Sequence, residues 1–238
     1  MASEWYFDNL NQKVARQGDI PTKHAFDTDV ETFVREVLQN ANDAGPVVDD
    51  EPVKVIFRLR HLTPGDGLNA FKSAFDWDQS FGEHLHAASD EEQDGSIENF
   101  LKNENEELVL LTIEDHNTVG LAVAEDANES NYTALVRDMH RSNKGQNQGG
   151  SHGVGGTVLW AFSGISTVLF TSNPEDAVGG STPRFVGRSY LPDHTVNDNL
   201  HKGYGWLGQP DPSGAGGRHV SLWGEEADRV ATKLSANR

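Results

Sequence analysis

Hydrophobic residues recur at helical spacing in one segment near the start of the chain. The segment "FDTDVETFVREVLQNANDAG" places apolar side chains three and four residues apart, which is the spacing of one helix face. Thr28 or Asp29 can cap its N-terminus, and Gly45 can end it. The pattern predicts a helix whose apolar face consists of Val30, Phe33, Val34, Val37, Leu38 and Ala41.

Further helices and strands are predicted along the rest of the chain. The opening "EWYFDNLNQKVARQ" alternates loosely at helical spacing and predicts a short N-terminal helix, and "EEADRVATKL" predicts a last helix. "VKVIFRLRHL" predicts a strand, and "ELVLLTIED" predicts a buried strand over Leu108 to Ile113. A helix from about Val154 to Phe162 is followed by a strand in "ISTVLFTSN". Three more strands are predicted in "RFVGRSYL", "GYGWLG" and "RHVSLWG".

Together these elements predict a single α+β domain over residues 1–238. The expected architecture is a two-layer sandwich, with helices on one face of a mixed, mostly antiparallel sheet. Residues 64–106 read as one or two short polar helices with acidic loops, and they predict a polar helical excursion. The chain has no cysteine, which excludes disulfide bonds, thiolate metal sites and cysteine nucleophiles.

The composition is strongly acidic, with 37 acidic and 19 basic residues and a net charge of −18. This charge disfavours direct binding to nucleic acid or to an anionic membrane. Because the carboxylates are spread along the chain, they indicate an organism with a salty cytoplasm. The sequence has no signal-peptide pattern and no apolar run near the roughly 18 residues of a membrane span, so a soluble cytoplasmic protein is expected.

A glycine run precedes the predicted helix in "GGSHGVGGTVLWAFS", with five glycines in eight residues. A glycine loop that leads into a helix N-terminus can direct backbone N–H groups at phosphates. The run is not a P-loop, and it matches a dinucleotide-binding fingerprint poorly because no strand directly precedes it. Taken alone, it fits a flexible surface loop equally well.

Polar residues on the first predicted helix form a second candidate feature. Glu36, Asn40 and Asp43 project from one face of that helix. A carboxylate one turn from an amide can present a general base beside a ligand for Mg²⁺, which prefers hard oxygen atoms. The alternative for these residues is an ordinary solvated polar stripe.

A carboxylate at the end of a predicted strand forms the third candidate feature. In "TIEDHNTVGL", Asp115 follows the strand and a turn with Asn117 and Gly120 comes next. A carboxylate in this position can accept a hydrogen bond from an exocyclic amine. The alternative is an aspartate that simply ends the strand.

In their order, these three segments resemble the motifs of the GHKL ATPase superfamily. Its Bergerat-fold members include the gyrase B subunit, the large ATP-driven heat-shock chaperones, histidine kinases and MutL. "EVLQNANDAG" is similar to the family's N box, "EDHNTVGL" to its first glycine box, and "GGSHGVGGTVLWAFS" to its second glycine box of the gyrase type. The resemblance covers about Phe26 to Phe170 by motif, and it implies ATP and Mg²⁺ as ligands.

The resemblance also implies a role for each matching residue. Glu36 would orient or deprotonate the attacking water, which is typical of the hydrolysing members, since histidine kinases generally lack this base. Asn40 would hold Mg²⁺, and Asp115 would read the adenine amino group. The other nucleotide-binding residues would be Asp43, Asn117, Gly120, Lys144, Gly150, His152, Gly153, Val154 and Gly155.

The segment from about 121 to 152 would be the ATP lid in such a protein. It has few apolar residues and many small polar ones, which suits a loop that closes over the triphosphate and excludes water. Lys144 lies just before the glycines, where it could reach a phosphate or remain in solvent.

Two of the motifs depart from the family pattern. Asn117 stands in place of the first glycine of the first box, and one additional residue precedes Gly120. In the last box, Arg218 or His219 stands where a threonine often helps to bind the adenine-reading acid. The candidates to replace that threonine are Tyr190, Ser221 and water.

The expected function is therefore Mg²⁺-dependent ATP binding and hydrolysis, by the nucleotide module of a larger protein or complex that could dimerise with nucleotide. One alternative is a nucleotide-gated interaction or chaperone-like switch with little hydrolysis. Another is a protein-binding scaffold with a degenerate nucleotide site. A histidine metal site is not expected, because the histidines are scattered and the only close pair, His84 and His86, is expected at the surface.

Overall fold

The computed structural model describes residues 3–10, 17, 29–48, 50–122, 125, 130–137, 157–174, 182–213 and 218–234. None of the described helices is long and apolar enough to cross a membrane. The α-helices in the described ranges are α1 (Val30–Asp43), α2 (Asp66–Ala74), α3 (Gly82–Ser89), α4 (Ser96–Leu101), α5 (Val158–Ala161) and α6 (Gly224–Leu234). The same ranges contain two π-helical turns, Trp77–Phe81 and Thr133–Arg137.

The strands form a seven-stranded sheet and a separate two-stranded sheet. They are β1 (Glu4–Asn9), β2 (Lys54–Leu62), β3 (Leu108–His116), β4 (Thr167–Ser172), β5 (Arg184–Tyr190), β6 (His194–Val196), β7 (Asn199–Pro210), β8 (His219–Val220) and β9 (Leu222–Trp223). The large sheet has the order β1-β7-β5-β4, with β6 and β8 paired to β7 and β9 paired to β5, while β2 pairs with β3. The protein is thus α+β. All pairs between described strands are antiparallel, so this part of the chain lacks the parallel pairing of the mixed sheet that we expected.

The prediction of a helix at the N-terminus is wrong for residues 3–10, which contain β1. Trp5 and Phe7 are buried and alternate with more exposed residues, which is the two-residue period of a strand. β1 pairs with β7, and Phe7 lies opposite Gly205. A Cβ at residue 205 would lie 2.6 Å from the Phe7 ring, so glycine allows the ring to cover the neighbouring strand.

The predicted caps of α1 are confirmed. The Asp29 carboxylate accepts a hydrogen bond of 2.6 Å from the Thr32 N–H, which holds the pKa of Asp29 below its usual value. At the other end, Gly45 adopts a φ of +67°, beyond the last helical residue. The apolar face is predicted correctly at the buried residues Phe33, Val37 and Ala41 and wrongly at the exposed residues Val30 and Leu38.

Residues 64–106 are helical, as predicted, but they belong to the main core and are not a polar excursion. The Trp5 indole donates a hydrogen bond of 2.7 Å to the Phe75 carbonyl, which ties this segment to β1. The α6 helix packs on α2 and β5 through a buried stripe at helical spacing. The buried side chains from residues 64–106 include Leu68, Phe71, Phe75, Trp77, Phe81, Leu85, Ala88 and Ile97.

The strand predicted over 108–113 is present as β3, but it is not buried throughout. Leu108 is buried, whereas Val109 and Leu111 are 49% and 44% exposed. A two-stranded sheet offers few neighbours to cover its faces, so alternate apolar side chains remain accessible.

A hairpin between β6 and β7 was missed in the sequence. Asn197 and Asp198 form its two-residue turn, and both have positive φ angles. An asparagine–aspartate pair between apolar positions is a recognisable signal for this kind of turn. The predicted α5 is present from Val158, and Val154 lies outside the described residues.

Candidate functional site

A cavity of about 1660 Å³ separates the two sheets. Residues of α1, β3 and β4 line it, together with apolar side chains from α2 and α6. Some of the polar residues in its lining belong to two of the motifs described above, namely Glu36, Asn40 and Asp43 from α1 and Asp115 from β3, and Gly120 also lines it. Other polar residues line it as well, among them Gln39, Asn103 and Glu107.

Packing of α1 on α5 places α1 in the wall of the cavity, where Phe33 and Val37 line it together with Glu36 and Asn40. Phe33 stacks on Phe162 at 4.2 Å between ring centroids, and Val37 belongs to the same cluster as Val158 of α5. Glu36 is next to Val37 and is only 8% exposed. Its carboxylate lies 3.6 Å from the Arg35 guanidinium. The cavity therefore has a buried carboxylate in a wall that is fixed by aromatic packing.

Asp115 and Gly120 flank the turn that follows β3, and both line the cavity. Gly120 has a φ of +63°, and a Cβ at this position would lie 2.6 Å from the Ser172 hydroxyl oxygen. That hydroxyl accepts a hydrogen bond of 2.9 Å from the Leu121 N–H. The turn thus requires glycine here for both its conformation and its close contact with β4.

Asn117 lies in the same turn but outside the cavity lining. Its side-chain oxygen accepts hydrogen bonds from the N–H groups of Val47 and Val48, at 3.1 and 2.9 Å. Its side-chain nitrogen donates to the carbonyls of Val48 and Glu51. The backbone of Asn117 has a φ of +60°, a conformation that asparagine tolerates better than most residues. The residue closes the loop between α1 and β2, and its proposed contact with adenine stays a prediction.

The predicted phosphate-binding residues lie outside the described part of the chain. These residues are Lys144, Gly150, His152, Gly153, Val154 and Gly155. Within the predicted lid, residues 121, 122, 125 and 130–137 are described. Several residues of the range 130–137 are buried, including Tyr132 and Val136, so this part of the predicted lid packs against the sheet.

Sequence reasoning missed the wall that this portion gives to the cavity. Asn131, Ala134 and Leu135 line the cavity, and two buried arginines of β5, Arg184 and Arg188, bind the same portion of the chain. Charged residues are rarely buried, so an arginine in a strand pattern gives little warning of this role.

The candidates to replace the third-box threonine lie away from the cavity lining. Ser221 is fully buried, and its hydroxyl accepts a hydrogen bond of 2.8 Å from Arg184. The Tyr190 hydroxyl is 3.3 Å from the Arg188 guanidinium. Neither side chain is among the described residues that line the cavity, and both are bound to the arginines of β5.

Three histidines meet in the interior, which corrects the expectations that the histidines are scattered and that His84 lies at the surface. His84 of α3 is 8% exposed, and its Nδ1 atom lies 2.8 Å from Nε2 of His194 in β6. The ring of His201 in β7 lies 4.8 Å from that of His84, between centroids. Of the pair that is close in sequence, only His86 is exposed.

Hydrogen bonding fixes the tautomer of His194 in this histidine cluster, which consists of His84, His194 and His201. Nδ1 of His194 lies 2.8 Å from the Pro192 carbonyl oxygen, so in a neutral ring this nitrogen carries the hydrogen. Nε2 of His194 then accepts the hydrogen bond from His84. Burial lowers the pKa of His84 to about 3 and that of His194 to about 4, so both rings are neutral at neutral pH.

The described ranges contain no group of three or more histidine or carboxylate side chains arranged to hold a metal ion. Such a group is not required for a Mg²⁺ ion that is bound together with phosphates, because that ion keeps several waters and takes only one or two protein ligands. The carboxylates of Glu36 and Asp43 and the amide of Asn40 supply hard oxygen atoms on one side of the cavity.

The fold and the cavity define an α+β protein with antiparallel sheets and a large, partly polar cavity between them. Comparisons with protein-family models, with curated proteins and with solved structures find no match. A function for the chain is therefore inferred from its motifs and from the geometry of the cavity.

Proposed function

We propose that the chain is a GHKL-type domain with a Bergerat fold that binds ATP with Mg²⁺ in the cavity and hydrolyses it. The observation that carries this proposal is that Asn40 and Asp115 line one cavity although they are far apart in the sequence. They belong to the two separate motifs in which the resemblance implies the metal ligand and the adenine-reading acid.

The cavity has room for a nucleotide. Its volume of about 1660 Å³ exceeds the roughly 300–1000 Å³ of most small-molecule sites. The cavity joins carboxylates and an amide at α1 to apolar side chains such as Ile113, Val168 and Leu169. In a nucleotide, the flat base would suit the apolar lining, whereas the negative triphosphate would need Mg²⁺ between it and the carboxylates.

The position of α5 also supports the proposal. In the sequence, α5 begins directly after the glycine run, with Val158 three residues beyond Gly155. Val158 is fully buried in the cluster with Phe33 and Val37 of α1. The helix that follows the proposed phosphate-binding loop therefore packs on the helix that carries Glu36.

In the proposed reaction, a water oxygen attacks the γ-phosphorus of ATP and the bond from that phosphorus to the bridging oxygen breaks, which releases ADP and phosphate. Glu36 accepts the proton of the attacking water. Asn40 would hold Mg²⁺, which when bound neutralises phosphate charge. Asp115 would accept a hydrogen bond from the adenine amino group, and Gly120 gives its turn the required shape.

The test compares two variants with matched controls. Glu36→Ala should leave ATP affinity within a few-fold and lower the hydrolysis rate by about two to four orders of magnitude, the range for losing a general base. Asp115→Asn should abolish ATP binding while the circular dichroism spectrum stays unchanged.

The control variants Glu31→Ala and Asp90→Asn change exposed residues outside the cavity lining and should behave like the original protein. Full turnover in Glu36→Ala, or unchanged ATP affinity in Asp115→Asn by calorimetry, would refute the assignment.

The hydrogen bonds of the Asn117 side chain favour a second candidate function, which is a scaffold or switch with an altered nucleotide site. Its side chain is engaged with the loop between α1 and β2, where the family has a glycine. A thermal-shift titration separates the candidates, because ATP at 100 times its Kd would add about 2.7 kcal/mol of stability. Stabilisation without phosphate release identifies a switch, and no stabilisation identifies a scaffold.

A further inference from the structure

Two arginines of β5 hold the portion of the chain that forms one wall of the cavity. The wall segment is defined here as residues 120–122, 125 and 130–137, of which Leu121, Asn131 and Leu135 are among those that line the cavity. Arg184 and Arg188 lie four residues apart on one face of β5, and they are 1% and 3% exposed.

Arg184 makes three contacts with the wall segment, at Glu125, Leu121 and Tyr132. Its guanidinium lies 2.6 Å from a carboxylate oxygen of Glu125 and donates a hydrogen bond of 3.1 Å to the Leu121 carbonyl. The Tyr132 ring stacks on the guanidinium, 3.4 Å from its carbon to the ring centroid. On the sheet side, Arg184 donates to the Ser221 hydroxyl. The side chain therefore joins the wall segment to the sheet.

Glu125 is held from several directions. Its carboxylate accepts hydrogen bonds from the Ser221 N–H, at 3.0 Å, and from the Tyr132 hydroxyl. Burial and the Glu125 carboxylate raise the pKa of Tyr132, so its phenol keeps the proton that it donates. Because Arg184 is buried, removing the negative charge of Glu125 takes away the favourable charge that this ion pair gives to a buried cation.

Arg188 adds a second attachment to the same segment. It donates a hydrogen bond of 3.0 Å to the Val136 carbonyl and another of 3.1 Å to the Gly205 carbonyl of β7. Its guanidinium stacks on the Trp206 ring at 3.4 Å. The wall segment is thus attached to β5 near both of its ends, at Leu121 and at Val136.

Leu121 connects these attachments to the turn after β3. Its carbonyl is bound by Arg184, and its N–H donates to the Ser172 hydroxyl of β4. The residue before it is Gly120, which ends the turn that begins after Asp115. Any displacement of Leu121 therefore changes the position of this turn at the edge of the cavity.

We propose that Arg184, through its ion pair with Glu125, is a positioning residue that fixes the wall segment and so sets the shape of the ligand-binding cavity. Its effect on nucleotide affinity rests on the proposed function, whereas its effect on the wall does not. Glu125→Gln and Arg184→Lys test the proposal. Asp8→Asn is the matched control, because Asp8 and Lys202 form an ion pair of 2.7 Å between β1 and β7, outside the cavity lining.

The first readout is the mobility of the wall. The chain has no cysteine, so Ala134→Cys places a single thiol in the cavity lining. In this background, Glu125→Gln should raise the rate of labelling by a soluble disulfide reagent by about tenfold or more, because the buried cation has lost the negative charge of Glu125. Asp8→Asn should leave the rate within about twofold of the background. An unchanged rate in Glu125→Gln, or an equal rise in Asp8→Asn, would overturn the proposal.

The second readout is the affinity for ATP, measured by calorimetry. Glu125→Gln should weaken binding by about tenfold and raise KM for ATP, while kcat at saturating ATP changes little, since Glu36 is untouched. If the original protein binds no ATP, the proposed function fails and the labelling rates still decide this inference.

If Glu125→Gln does not fold, the variant Arg184→Lys decides in its place. The lysine keeps the positive charge but lacks the several N–H donors of the guanidinium, so the labelling rate of Arg184→Lys should also rise. An unchanged rate would overturn the proposal.

Discussion

Replacing His84 with glutamine should reduce the loss of stability in mild acid. His84 and His194 have pKa values of about 3 and about 4 in the folded protein, compared with the 6.5 that is usual for histidine. Between pH 6.5 and pH 4, the unfolded chain therefore binds two protons that the folded protein does not. Folding stability then falls as the pH falls, because protons favour the state that binds them.

The size of the effect follows from the two shifts. One proton difference changes the free energy of unfolding by about 1.4 kcal/mol per pH unit, so the two histidines together contribute about 2.7 kcal/mol per unit. At pH 5, which is 1.5 units below 6.5, this amounts to roughly 4 kcal/mol. Domains of this kind are usually stable by about 5–15 kcal/mol, so the loss is a large fraction of the total.

Glutamine at position 84 does not titrate and still offers an N–H donor to His194. In His84→Gln, the slope of unfolding free energy against pH should therefore decrease by about 1.4 kcal/mol per pH unit between pH 4.5 and 6. The carboxylates titrate in both proteins, so their contribution cancels in the comparison. The measurement is urea unfolding at several pH values and constant ionic strength, followed by tryptophan fluorescence.

His86 provides the control on the same helix, because its side chain is exposed and the ring is not part of the histidine cluster. His86→Gln should keep the original slope. If His84→Gln keeps that slope too, or if His86→Gln reduces it equally, the reasoning from burial is refuted. Should His84→Gln fail to fold, His194→Gln tests the same argument, since the ring of His194 is equally enclosed.

Two further predictions concern the backbone. Gly203→Ala should destabilise the protein by about 3 kcal/mol or more in urea unfolding, because its Cβ would lie 1.6 Å from the Leu191 carbonyl oxygen. Gly164→Ala meets nothing within 4 Å and should be nearly neutral. Asn117→Ala should cost about 1–2 kcal/mol and speed proteolysis in residues 45–51, since two N–H groups lose their acceptor. Asn117→Gly relieves the positive φ but not the lost bonds, so recovery of full stability in that variant would contradict this explanation.

Local signals were sufficient to predict α1. Its caps depend on neighbours within one turn, and Asp29 and Gly45 act where the sequence indicates, whereas the burial of Phe33 and Val37 also depends on their packing against α5. β1 could not be predicted in this way. Its buried residues Trp5 and Phe7 pack against β7 and α3, which lie far along the chain, and its short apolar pattern fits a helix and a strand almost equally.

The candidate site was predictable only in part. The face formed by Glu36, Asn40 and Asp43 follows from helical geometry, but no local rule brings Asp115 to the same cavity. Arg184 and His84 were harder still, because arginine is mostly exposed in proteins and histidine is buried only in some positions. Their burial depends on partners such as Glu125 and His194, which the sequence alone does not connect to them.

Apolar and polar side chains of α1 share one face of the helix. Phe33 and Val37 pack on α5, the helix that directly follows the glycine run, and they line the cavity together with Glu36 and Asn40. Because these side chains share one rigid helix, the packing of Phe33 on Phe162 determines where the carboxylate and the amide lie relative to α5. The arginines of β5 do the same for the wall segment through Leu121 and Val136. The polar groups of the cavity are therefore held by contacts that are themselves buried, which is the arrangement that a preorganised nucleotide site requires.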